Sequence, residues 1–130
     1  MTTTITVKTS FEGIHCYPEA PVEVAYLREP HRHIFGVCVE VEVFDDDREI
    51  EFIMLKHRIN EYIFKQCGGR SVWHMGRMSC EQVAKGIVRM LFESLSNPTN
   101  RYIAVTIDED GENGATIFGY PRRSEIYDTL

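Results

Sequence analysis

Hydrophobic and polar residues alternate along four stretches of the chain and recur at helical spacing along two. Over residues 2–11, Thr and Lys alternate with Ile, Val and Phe, which predicts a strand. Over residues 31–44 the alternation is stricter. Val37, Val39, Val41 and Val43 fall on one side, and Cys38, Glu40, Glu42 and Phe44 on the other, as in a strand with one buried and one polar face. Asp45, Asp46 and Asp47 predict a solvated turn, after which residues 48–53 are expected to pair back as a short strand. Leu55, Ile59, Tyr62 and Ile63 lie at helical spacing and predict a helix over 55–66, stopped by Gly68-Gly69. A second helix is expected from Ser79, where S-x-x-Q has capping-box spacing; its apolar stripe is Val83, Ile87, Met90, Leu91 and Leu95, and Asn97-Pro98 ends it. Residues 101–108 and 115–120 read as two further strands around a polar turn. The order ββααββ predicts an α+β domain, a four-stranded antiparallel sheet with two helices on one face.

The segments between these elements carry less signal. Three prolines, Pro18, Pro21 and Pro30, make residues 16–30 a long loop, and loops of that length in compact domains tend to serve function. Residues 1–120 are expected to form one domain and 121–130 a tail, since 130 residues suit a single core. The balance of 43% hydrophobic and 26% charged residues is that of an ordinary globular chain. A net charge of -6 repels polyanions, so no nucleic-acid partner is expected. The longest apolar run, near residues 34–39, is about a third of the roughly 20 residues a membrane helix needs, so no membrane partner is expected. The opening residues do not read as a signal peptide, and Cys16, Cys38, Cys67 and Cys80 form no C-x-x-C; a cytoplasmic protein with reduced thiols is the simplest expectation.

Chemistry concentrates in the histidines. His31 and His33 lie two apart on a strand and so share a face. Two imidazoles so placed hold a tetrahedral metal from one side, and His15, at the end of the first strand, is the candidate third ligand. Imidazole ligands suit zinc, but also several other divalent ions. Short H-x-H runs also arise by chance at exposed strand ends. A cupin site would need a Glu four or five residues after the pair, and the first, Glu40, is too distant.

The order of motifs resembles the 6-pyruvoyltetrahydropterin synthase and 6-carboxytetrahydropterin synthase family. Phe11-Glu-Gly-Ile-His15 resembles its F-x-x-x-H, and His31-Arg-His33 its H-G-H strand. Glu51-Phe52 with Leu55-Lys56 is similar to D-F-x-x-L-K, residues 79–85 to the P-T-S-E segment, and residues 105–109 with Gly114 to V-x-E-T and its turn. The resemblance implies a T-fold whose subunits close into an oligomeric barrel, a homo-oligomer built from trimers, often stacked as hexamers, with ligand pockets between subunits. It implies zinc on His15, His31 and His33, and a pterin or purine-like ring gripped by Glu109, with Ser79 and Glu81 nearby. A carboxylate can accept two hydrogen bonds from a ring N–H and its neighbouring amine.

The departures from the family pattern bear on activity. Leu27 stands where the family has its catalytic cysteine, and no Asp-His pair occurs between the helices. Glu29 and His74 are the substitute acid–base candidates, with Trp73 available to stack on a ring. Two functions follow. One is a zinc-dependent carbon–oxygen lyase acting on a dihydropterin triphosphate, in a tetrahydropterin or deazaguanine pathway. The other is a protein that binds, senses or sequesters a pterin or nucleotide without converting it.

Overall fold

The computed structural model describes residues 1–128. Seven regular elements form its frame: β1 (Thr3–His15), β2 (His31–Val43), α1 (Phe52–Gln66), β3 (Trp73–Gly76), α2 (Cys80–Ser94), β4 (Ile103–Glu109) and β5 (Asn113–Gly119). They make one five-stranded sheet in the order β3-β1-β2-β4-β5. β1, β2, β4 and β5 are antiparallel neighbours, whereas the short β3 runs parallel to β1.

The alternation along β2 is realised as read. Val37, Val39, Val41 and Val43 are buried, and the intervening residues face the open side of the sheet. Both helices cover the buried side, α1 over β1 and α2 over β4 and β5. Leu55, Ile59 and Ile63 of α1 and Val83, Ile87 and Leu91 of α2 meet Val39, Val41, Val105 and Ile107 of the sheet in a single core. The capping box at Ser79 is present in both directions: the Ser79 hydroxyl accepts from Gln82 N, and the Gln82 side chain accepts from Ser79 N. Such a cap satisfies donors that the first helical turn otherwise leaves unpaired.

Three expectations change. Residues 48–53 form no strand. The Glu51 carboxylate accepts from Ile53 N and Met54 N and starts α1 at Phe52, three residues before the expected start. A side-chain acceptor at the N-cap outweighs the weak β pattern of so short a run. The sheet has five strands rather than four, because Trp73 and Met75 turn inward while the residues between and after them stay exposed. Four residues are too few for that alternation to be read as a strand. The tail is not featureless either: a π-helical turn, Ser124–Asp128, buries Ile126, and Arg89 and Arg123 stack on Tyr127. The last two residues of that tail lie outside the described residues. Among the described residues no helix is long and apolar enough to cross a membrane.

Candidate metal centre and ligand cleft

The pairing of β1 with β2 assembles the histidines. His15 lies directly opposite His31, and Gly13 opposite His33, so the three imidazoles share the inner face at one end of the sheet. One ring nitrogen of each lies within 4.8 Å of those of the other two. Phe35 supports the cluster from below, its ring edge-on to His15 at 5.2 Å and to His33 at 5.6 Å between centroids. Gly13 leaves room for that ring; a Cβ there would fall 2.8 Å from the Phe35 ring and 2.5 Å from Met75 Sδ.

Each imidazole is held through Nδ1 by an oxygen that accepts. His15 Nδ1 donates to Met78 O at 2.9 Å, His31 Nδ1 to Glu29 O at 2.8 Å, and His33 Nδ1 to the Asp110 carboxylate at 2.7 Å. Carbonyl and carboxylate oxygens cannot donate, so Nδ1 carries a proton in all three rings, and Nε2 is the nitrogen that can ligate a metal. This is the arrangement by which outer partners orient metal-binding histidines.

Two of the Nε2 atoms face a carboxylate. Glu109, at the end of β4, brings Oε2 to 3.0 Å from His15 Nε2 and Oε1 to 3.7 Å from His33 Nε2. A lone pair facing a carboxylate is repulsive unless a proton or metal ion lies between them. His33 Nε2 is also buried without a hydrogen-bond partner. Three imidazoles with a carboxylate beside them form a donor set suited to zinc or another imidazole-preferring divalent ion.

Asp110 is the residue that sequence reasoning missed. It has φ 58°, and its carboxylate bridges His33 Nδ1 and Ile34 N while its own N–H donates to Ile34 O. Those two donors hold its carboxyl below the usual carboxylate range. The Asp-Gly turn after β4 is a local signal for a left-handed residue, but only the β2–β4 pairing brings it to His33. Asp110→Ala is expected to weaken metal binding about 10- to 100-fold. Competition against a chromogenic chelator measures this, and an unchanged affinity would remove Asp110 from the role.

A cleft of about 630 Å³ opens above the triad, lined by His15, His31 and Glu109 and by residues of the loop after β1 and the start of α2. Ser79 and Glu81 line it, and so does Leu27, which places an apolar side chain there. The two acid–base candidates are placed elsewhere. The Glu29 side chain is exposed and outside the lining; only its carbonyl reaches the site, through His31. His74 is exposed on β3 between the inward Trp73 and Met75, so its ring faces away from the triad. Trp73 is buried against Phe11, with ring centroids 5.0 Å apart, and is not a ligand platform.

Cys16 corrects a simple alternation rule. A strand neighbour of His15 would face the other way, but the register shifts between Ile14 and His15 and β1 ends there. Cys16 N donates to Gly76 O, and the residue lines the cleft. Cys80 lines it too, but burial, followed by the charges of Glu109, Glu81 and Asp108, pushes its thiol up to about 11, so it is protonated at neutral pH.

No family model and no curated protein matches the sequence. Solved structures do. The chain is similar to Plasmodium falciparum 6-pyruvoyl tetrahydropterin synthase, with 18% identity and a TM-score of 0.67, over 92% of this chain and 99% of that one. A Plasmodium vivax 6-pyruvoyltetrahydropterin synthase in which alanine replaces a catalytic glutamate matches at 16% identity and TM-score 0.67, over 93% and 99%. The Caenorhabditis elegans 6-pyruvoyl tetrahydropterin synthase matches at 17% identity and TM-score 0.59, over 92% and 96%. At these identities the likeness shows a shared fold, that of the pterin synthases, across nearly the whole chain.

Proposed function

We propose that this chain is a pterin synthase-like protein whose cleft holds a dihydropterin or related purine-like ring against Glu109, beside a zinc ion on His15, His31 and His33. The observation that carries the reading is the convergence of three Nδ1-tethered imidazoles within 4.8 Å of one another, two of them against the Glu109 carboxylate. A bound divalent ion would supply Lewis acidity, lowering the pKa of a hydroxyl next to it. The chain's own groups do the rest. Glu109, once its partner nitrogens carry a metal, keeps acceptor lone pairs for a ring N–H and an exocyclic amine. The start of α2 walls the cleft, placing Ser79 and Glu81 within its lining.

Ring binding is separable from metal binding in a test. Glu109→Ala in the metal-loaded protein is expected to weaken binding of dihydroneopterin by more than about tenfold, the scale of a lost charge-assisted pair of hydrogen bonds. Calorimetric titration reads this directly. Equal affinity in the variant would move the ring away from Glu109.

Two outcomes follow for a bound ring. The lyase reading breaks a carbon–oxygen bond and needs a group to move protons within hydrogen-bond reach of the substrate. The second reading, retention without conversion, is favoured by a specific observation: Leu27 lines the cleft, while the Glu29 carboxylate and the His74 ring do not. Mass spectrometry of metal-loaded protein mixed with dihydroneopterin triphosphate and with purine nucleotides distinguishes them. A product lacking triphosphate establishes the lyase; an unchanged ligand on the protein establishes a binder.

The same reading includes a homo-oligomer. The outer edge of β1 carries β3 only at Gly13, Ile14 and His15, and β5 ends the sheet on the other side. Long free edges of this kind favour pairing with further copies. A trimer or hexamer closing as a barrel would satisfy both.

A further inference from the structure

The turn after β4 brings one more polar side chain beside Glu109. Asp110 and Gly111 both take the left-handed conformation, with φ 58° and 74°, and Glu112 N donates to Glu109 O at 3.0 Å. The chain then reverses into β5, whose first residue, Asn113, lies directly opposite Glu109 in the antiparallel register. Residues so paired point to the same face of a sheet, with Cβ atoms about 4.5–5.5 Å apart. Asn113 accordingly lines the cleft together with Glu109. Gly114 lets the two strands lie this close, because a Cβ there would collide with Ile107 O and fall 2.7 Å from Asp108 Cα. The same turn is tied to the triad by the bond between Asp110 and His33, so Asn113, Glu109 and the histidines share one frame.

We infer that Asn113 is a second ring-reading residue of this cleft, donating from its carboxamide to the ring carbonyl next to the N–H that Glu109 grips. The inference deepens the proposed function and rests on that reading of Glu109. A pterin or guanine-like edge presents an amine, a ring N–H and a carbonyl in a row. An ionised carboxylate only accepts, so Glu109 answers the first two groups and leaves the third. A carbonyl taken from water without a donor costs part of what the other two bonds gain. The Asn113 side chain carries two N–H donors, and among the described residues it has no hydrogen-bond partner within the protein. Its amide is therefore free to turn its nitrogen towards a ligand. With it, the site reads three consecutive groups, and its ligand class narrows to rings that set a carbonyl beside an N–H and an amine.

The test uses dihydroneopterin as the probe of the metal-loaded full chain. Asn113→Ala, a change at an exposed position, is expected to weaken its binding about three- to tenfold by calorimetry, the scale of one neutral hydrogen bond. A second readout separates donation from mere packing. In protein isotopically labelled at its asparagine side-chain nitrogens, the Asn113 amide signal is identified by its loss in Asn113→Ala. One proton of that amide is expected to move downfield as the probe binds to the parent. Unchanged affinity in Asn113→Ala overturns the inference, and so does a loss of affinity without that shift in the parent. Either result leaves the ring site standing so long as Glu109→Ala still weakens binding. Failure of the parent to bind the probe removes the ring-binding reading itself, and this inference with it.

Discussion

His33→Ala is expected to lower metal affinity by more than about a hundredfold, because even the groups that orient a metal ligand are worth about 10- to 100-fold. His33 is the informative member of the triad. Its Nε2 is buried and makes no hydrogen bond to the protein. Removing the ring relieves that and leaves Asp110, whose side chain is 46% exposed, to water. The variant should therefore fold about as well as the metal-free parent. What it should lose is the rise in melting temperature on adding zinc, since a metal that binds only the folded state stabilises it in proportion to its saturation. Thermal melts with and without zinc, beside a chelator competition, measure both effects. An undiminished zinc-dependent rise in His33→Ala would mean that the ion binds elsewhere.

Arg101→Ala is expected to cost about 2–4 kcal/mol, because it empties the place of a buried side chain and removes its charge-assisted hydrogen bonds. That is a large share of the roughly 5–15 kcal/mol that holds a domain folded. Arg101 is 1% exposed. Its Nε donates to Ser96 O at 3.0 Å and its Nη1 to Glu42 O at 2.9 Å, while Nη2 bonds the Glu49 carboxylate and the guanidinium lies 4.7 Å over the Phe44 ring. One side chain thus ties the end of β2, the turn before α1 and the loop after α2. Arg101→Lys keeps the charge but not the fork, and should fall between the two. The pair also sets an acid limit. The Arg101 guanidinium, with Phe44 N–H, lowers Glu49 from the ordinary 4.5 to about 2. A depressed carboxylate contributes stability that is complete above its unfolded pKa and is lost as pH falls through the folded one. The parent should therefore lose stability between about pH 4.5 and pH 2 in a slope that Arg101→Ala lacks. Denaturant melts across that range check it, and parallel slopes would contradict the assignment.

What was legible in the sequence is what local pattern encodes. The valine alternation of β2 has a period of two and one buried face, so it could be read without knowing its neighbours. The capping box at Ser79 is equally local. The H-x-H pair was legible because a strand puts alternate residues on one side; His15 was legible from its place at the end of the first strand, and an antiparallel register sets it opposite His31. The misses have a common cause, which is that their partners are distant in sequence. Arg101 reads as an ordinary solvated residue at a strand start, because Glu42, Glu49 and Ser96 come to it only in the fold. Asp110 reads as one acid among several in a turn, until β4 pairs with β2. His74 lies in the segment between the helices, yet β3 turns Trp73 and Met75 inward and leaves its ring outside; Cys16 enters the cleft because β1 ends at His15. Start residues of α1 went wrong for a different reason, since Glu51 caps the helix without a Ser or Thr to announce it.

The central claim is that three imidazoles, fixed through Nδ1, bind one metal ion beside Glu109. X-ray absorption at the zinc edge, on protein loaded with one equivalent of zinc, tests it most directly. The account predicts an inner shell of nitrogen and oxygen with the outer scattering of imidazole rings, diminished in His33→Ala. A sulfur shell, drawn from Cys16 or Cys80 in the same cleft, or a shell of oxygen without imidazole scattering would contradict it.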